Sequence, residues 1–201
     1  MRSNNAGAKP ANSCTYTSTV NQREVIMEAA SNLNDSSADA VQAFFSDVFE
    51  PSTLEKFNAN TLAQIPILEY MGISFSEFKC GAMRTDMPLG PNINDKNTGF
   101  GGSIVTMATI TGWALLSILL NKDERKYDVV IVESNTQYQA PVTEDCYGIA
   151  RLNEGQILKL LRDLVISGRA RTHIDVGIHV NEQKVATFSG QYYVRPVKQG
   201  V

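Results

Sequence analysis

Hydrophobic positions become regular from about Pro51 onward, and their periods outline a fold. Leu54, Phe57, Leu62 and Ile65 recur at helical spacing after Pro51, a residue that suits a first helical turn, and Pro66 stops the run. The period then changes to two. Ile73, Phe75, Glu77 and Lys79 begin a strand whose continuation reaches Met87, where Pro88-Leu89-Gly90-Pro91 breaks it. The longest apolar run, 104–120, predicts a buried helix ending near Asn121-Lys122-Asp123. Tyr127–Tyr138 and about 145–152 read as strands, and Glu154–Ser167 places Ile157, Leu160, Leu161, Leu164 and Val165 at helical spacing with Gly168 as its C-terminal cap. Ala170–Val180 and 185–197 alternate on either side of a hairpin turn at Asn181-Glu182-Gln183-Lys184.

This order places one nearly all-round apolar helix before an antiparallel meander. It implies an α+β fold in which a sheet wraps a helix, not a doubly wound parallel sheet. Upstream, residues 1–33 are rich in Ser, Asn, Thr and Ala without periodicity and read as a flexible arm, followed by a short amphipathic helix over about 37–49. The expected division is an arm over 1–50 and a domain over 51–201.

Composition narrows the classes. With 43% hydrophobic and 19% charged residues the chain fits an ordinary soluble domain. A formal charge of −3 argues against general nucleic-acid affinity, which needs a basic surface. Cys14, Cys80 and Cys146 are odd in number and far apart, so neither a disulfide framework nor a zinc site is expected. His173 and His179 sit at an even interval in a strand and read as strand residues, so no metal is expected. Thr106, Thr109, Thr111 and Gly112 interrupt the 104–120 run, which favours a core helix over a membrane span. The N-terminal residues lack the apolar core of a secretory signal, so the expected compartment is cytoplasmic.

Candidate chemistry concentrates in 91–103. Amide, carboxylate, ammonium and hydroxyl groups at Asn94, Asp95, Lys96, Thr98 and Ser103 precede Gly101-Gly102, where the apolar helix begins. Glycines allow a ligand close to the backbone, and the first N–H groups of a helix have no internal partner. Such an end suits a developing oxyanion. Asp95 is the first candidate for a base that activates water, and Glu133, directly after the apolar run 129–132, is its rival. Each also has a plain reading, as a turn carboxylate and as an outward strand residue. Asn94 could orient water or a carbonyl; Thr98 or Thr109 could assist through a hydroxyl. Asn92 reads as a turn former, and Met107 and Trp113 as core.

The pattern Pro91-Asn92-x-Asn94-Asp95-Lys96-x-Thr98-x-Phe100-Gly101-Gly102-Ser103, with Thr111-Gly112-Trp113 and Tyr138-x-x-Pro141-Val142, resembles the hot-dog thioesterase family typified by the C-terminal domain of the bacterial protein YiiD. The resemblance covers about 62–197. It implies a curled antiparallel sheet around a central helix, and sites formed between two subunits. A homodimer is therefore expected, and pairing of dimers into a tetramer is compatible with it. Relatives of the phenylacetyl-CoA type carry His-Gly-Gly in this loop and a carboxylate one to two turns into the helix. Here Phe100 stands at the first place and Thr109 at the second.

The resulting expectation is hydrolysis of an acyl-CoA or acyl-carrier thioester, with Asp95, Asn94, Gly101, Gly102 and Glu133 as the catalytic set. Lys96, Thr98, Phe100, Ser103 and Thr109 would contact substrate. No cofactor is expected apart from CoA as part of the substrate; Lys96, Lys122, Arg125, Arg169, Arg171 and Arg195 are available for its phosphates. The alternative is a non-catalytic acyl-CoA-binding or regulatory module. A hydratase on the same fold is disfavoured, because neither histidine lies near the loop in sequence.

Overall fold

The structure is a computed structural model, and it describes residues 51–79, 81–120 and 127–197. The expected arm and helix within 1–50, and the charged end of the long helix, lie outside those residues. The described chain opens with α1 (Pro51–Gln64), whose Leu54, Phe57 and Leu62 pack on the core, followed by Ile65. Pro66 stops α1 and occupies the first turn of a second, short helix, α2 (Pro66–Tyr70), where its missing N–H costs nothing.

The single strand expected over 73–87 is instead a hairpin, β1 (Ser74–Lys79) and β2 (Ala82–Met87), with Gly81 at φ +69° in the turn between them. Left-handed backbone of that kind is what glycine permits. A bulge between Phe75 and Glu77 also breaks the expected alternation. It turns Phe78 into the core and leaves Glu77 outside. Asn58 of α1 finishes the β1 edge: its amide donates to the Phe75 carbonyl at 2.6 Å and its carbonyl accepts the Phe75 N–H at 2.9 Å.

After a single 3-10 turn at Gly90–Asn92 comes α3 (Gly101–Leu120), with thirteen of its twenty residues buried. It is long and apolar enough to cross a membrane by composition, yet here it forms the centre of the fold. Strands β3 (Tyr127–Tyr138) and β4 (Cys146–Arg151) follow. Helix α4 (Glu154–Ser167) begins with a capping box between Asn153 and Gln156 and ends at Gly168, φ +65°. Strands β5 (Ala170–Val180) and β6 (Gln183–Pro196) close the chain. Their turn is only Asn181-Glu182, because Val180 already pairs with Gln183.

All six strands join one antiparallel sheet in the order β1-β2-β4-β5-β6-β3, curled around α3. This is the hot-dog architecture. Helix and sheet meet closely at Gly112, where the Tyr192 hydroxyl takes the space a Cβ would need and donates to the Thr109 carbonyl at 2.8 Å. Among the described residues strand β3 is an edge that pairs only with β6, and Val130 and Val132 are exposed on it.

Candidate functional site at the start of the central helix

The loop before α3 is fastened at both ends. Asn92 is buried, and its side-chain amide donates to the carbonyls of Met71 (2.7 Å) and Pro88 (2.8 Å), while its backbone carbonyl accepts the Phe100 N–H at 2.7 Å. A bridge joins Ile93 to Gly99, and Gly99 donates to Val142 at 2.7 Å. Gly99 must be glycine for this approach, since a Cβ there would stand 2.8 Å from the Val142 side chain.

Between these anchors Asn94 organises the turn. Its carbonyl accepts the Lys96 and Thr98 N–H groups at 2.8 and 3.2 Å, and its amide donates to the Thr98 hydroxyl at 3.0 Å. Asn94 and Thr98 are thus committed to shaping the loop. Asp95 and Lys96 stand at its tip, both exposed, 3.5 Å apart as an ion pair. Solvent screening makes such a pair worth little to stability.

The chain then enters α3. Phe100 is 55% exposed and folds its ring over Gly102, where a Cβ would collide with it. Tyr138, from the far end of β3, donates its hydroxyl to the Gly101 carbonyl at 3.0 Å. The Ile104 N–H donates to the Phe100 carbonyl, which begins the helical ladder. The N–H groups of Gly101 and Gly102 take no partner among the described residues. The helix therefore offers bare amides beside Phe100, Ser103 and Tyr138, in a place that can accept an oxyanion.

The other carboxylate lies elsewhere. A bulge between Ile131 and Glu133 pairs Ile131 with Tyr192 but Glu133 with Gln191. Tyr192 faces α3, so Gln191 and Glu133 face the outer side of the sheet. Without the bulge, Glu133 would have continued the inward row of Val129 and Ile131. Thr109 is half-buried on α3, and its carbonyl serves Tyr192.

Among the described residues the candidate arginines do not converge on the loop. Arg169 and Arg171 line a cavity of about 520 Å3 with Tyr193 at the opposite end of β5 and β6. Arg195 is beside Asp128, at 3.7 Å. Lys122 and Arg125 lie outside the described residues. His173 stands on the outer face, bonded to Asp175 and Ser189, and His179 stacks on Tyr147. Among the described residues no group of three or more His, Cys, Asp or Glu side chains could hold a metal.

Two contacts have no counterpart in the sequence reading. Tyr138 marked only the close of a strand there, yet it touches Gly101. Asn92 was a turn former, yet it is the buried tie between three segments. Its Oδ1 has no partner, which identifies the amide hydrogens as the working end of the side chain.

Known structures share this fold. A protein from Shewanella oneidensis described as a "putative thioesterase" is 29% identical, aligns over 73% of this chain and 100% of its own, and gives a TM-score of 0.64. A Pseudomonas aeruginosa protein described as a "Probable Thioesterase" (22% identity, 71% of this chain and 95% of its own, TM-score 0.63) shares the fold. So does a thioesterase from Haemophilus influenzae (21%, 73% and 93%, TM-score 0.58). The family model described as "Putative thioesterase (yiiD_Cterm)" matches residues 54–196, all but the first residues of α1 through the last strand, and the chain belongs to that family.

Proposed function

We propose that the protein hydrolyses an acyl-CoA or acyl-carrier thioester at the start of α3. The observation that carries this reading is the pair of unpartnered N–H groups at Gly101 and Gly102, at the positive end of a buried helix. The thioester carbonyl oxygen points at those amides, which stabilise the negative charge formed as water attacks. Asp95 takes the proton from that water and returns it to the thiolate that leaves as the tetrahedral intermediate collapses and the C–S bond breaks; Asn94 and Thr98 hold the loop that presents it. Phe100 and Ser103 flank the reacting carbonyl. Glu133 is a poorer base, since it faces the other side of the sheet.

Asp95 is solvated in a single protomer. The reading therefore includes a second copy paired along the free edge of β3. Val130, Val132 and Tyr138 are exposed along that strand, and pairing would cover its edge. For Asp95 to act as the base, that pairing must also close the loop tip against solvent.

Replacing Asp95 by Asn tests the assignment. Thioester turnover should fall at least ~10²-fold, the lower range for loss of a general base. Wild-type turnover in a folded D95N protein would reject the role. One observation favours a second reading, a module that binds acyl-CoA without cleaving it: Thr109 carries no carboxylate where related enzymes have one.

A further inference from the structure

Three cations gather on the face of the sheet turned away from α3, and strand register sets them there. Lys79 of β1 pairs with Ala82 of β2, and Ala82 pairs with Arg151 of β4, so the three stand in one row. Phe78, Met83 and Ala150, their neighbours in the chain, are buried, which turns this row outward. In the next outward row Glu77 pairs with Arg84, and Arg84 with Ile149. Ala82 is the shortest of these side chains, and the longer ones around it enclose a cavity of about 310 Å3.

One of the cations is held in place. Arg84 donates from Nε to the Asp86 carboxylate at 2.9 Å, and its Nη2 lies 2.8 Å from the same oxygen. Its guanidinium also lies over the Tyr147 ring, 3.9 Å from the ring centre. Tyr147 is fixed in turn, since its hydroxyl donates to the Asn181 carbonyl at 2.6 Å and its ring stacks on His179. The other two cations are unspent: among the described residues neither Lys79 nor Arg151 has an ion-pair partner. Glu77 is the one carboxylate lining the hollow. The chain as a whole carries a formal charge of −3, so this concentration of positive charge is local.

We propose that this hollow binds a phosphate monoester, of the sugar phosphate or mononucleotide kind, as a ligand separate from the thioester. A phosphate seated over Ala82 lies between Lys79 and Arg151, whose strands flank β2 and stand about 10 Å apart. Both long side chains can reach it, and Arg84 adds donors from the next row, all through charge-assisted bonds. A second cavity, of about 700 Å3, shares Arg84 and is lined by Ser74, Asp86, Asp145 and Asn181. Its carboxylates repel a phosphate but accept hydrogen bonds from hydroxyl groups. They orient the ligand, with its phosphate in the basic hollow and its sugar across Arg84. The inference uses no group at the start of α3 and stands without the thioesterase reading.

Calorimetric titration of the whole chain with ribose 5-phosphate, and with ribose as control, tests it. Wild type should bind ribose 5-phosphate saturably, more weakly as salt is added, and should bind ribose far less. K79A and R151A are exposed changes that leave the fold intact, and each should weaken binding by ~10-fold or more, the effect of losing one bond between charged groups. E77Q removes the opposing carboxylate and should tighten binding by about 2–5-fold, the size of one exposed charge interaction. Ribose binding as well as its phosphate, or K79A and R151A both binding as wild type does, overturns the site. A titration with CoA separates the two sources of phosphate. Equal CoA affinity in wild type and R151A supports a separate ligand; a ~10-fold loss in R151A overturns that claim by giving the hollow to the substrate's own phosphates.

Discussion

The Tyr138 hydroxyl donates to the Gly101 carbonyl at 3.0 Å and stands 3.2 Å from where a Cβ on Gly101 would project. The end of the edge strand is thus fixed to the first residue of the central helix, 37 positions earlier in the chain. Tyr138→Phe removes this bond and keeps the ring. Stability should fall by about 1 kcal/mol or less, because the group is solvent-accessible. Turnover should fall more, by up to ~10-fold, as the helix start loses its positioning. A thermal melt alongside kcat and KM separates the two effects; unchanged kinetics would remove Tyr138 from the site.

Asn92 is a buried polar side chain whose amide serves Met71 and Pro88. Asn92→Ala leaves those carbonyls without a donor and should destabilise by about 1–3 kcal/mol. Asn92→Asp should be worse, since a carboxylate would face two carbonyl oxygens. Urea unfolding of both variants checks the order; equal stability of wild type and N92D would contradict the clamp.

Gly112→Ala places a methyl group where the Tyr192 hydroxyl lies. Overpacking of this kind should destabilise by about 1–3 kcal/mol. Adding Tyr192→Phe, which vacates that space, should recover part of the loss. A double variant no more stable than the sum of the singles would show that helix and strand do not meet there.

Stability should also fall at high pH, for a stated reason. Burial, then the Asp145 and Asp86 carboxylates, push the Cys146 thiol from 9.0 up to about 12, and burial raises the Tyr192 phenol above its ordinary 10.0. From about pH 9 upward the unfolded chain releases these protons first, so the folded state binds more protons and loses stability as pH rises. Below that pH both groups are neutral in both states and contribute no slope. Cys146→Ala should flatten the decline in urea midpoint between pH 8 and 10.5 relative to wild type; an identical decline would assign it to other groups.

Elements with one strong period were legible in the sequence. Tyr127–Tyr138 and Glu154–Ser167 form as their patterns indicate, the second because its cap residues agree with its apolar stripe. The hairpin at β1 and β2 was not, since only Gly81 marks the reversal. Bulges in β1 and β3 are invisible to a period of two, and they decide which way Phe78 and Glu133 face. In the site, glycines at a helix start announce themselves locally. Contacts across the fold, such as Tyr138 with Gly101 or Asn92 with Met71, depend on tertiary approach that no local pattern encodes.

The central claim is that the bare amides of Gly101 and Gly102 receive a thioester carbonyl that is then cleaved. Incubating the wild-type protein with excess acyl-CoA thioesters and counting free thiol per protomer tests it most directly. Release continuing well beyond one thiol per protomer is the predicted result. Saturable binding with no thiol released would contradict it.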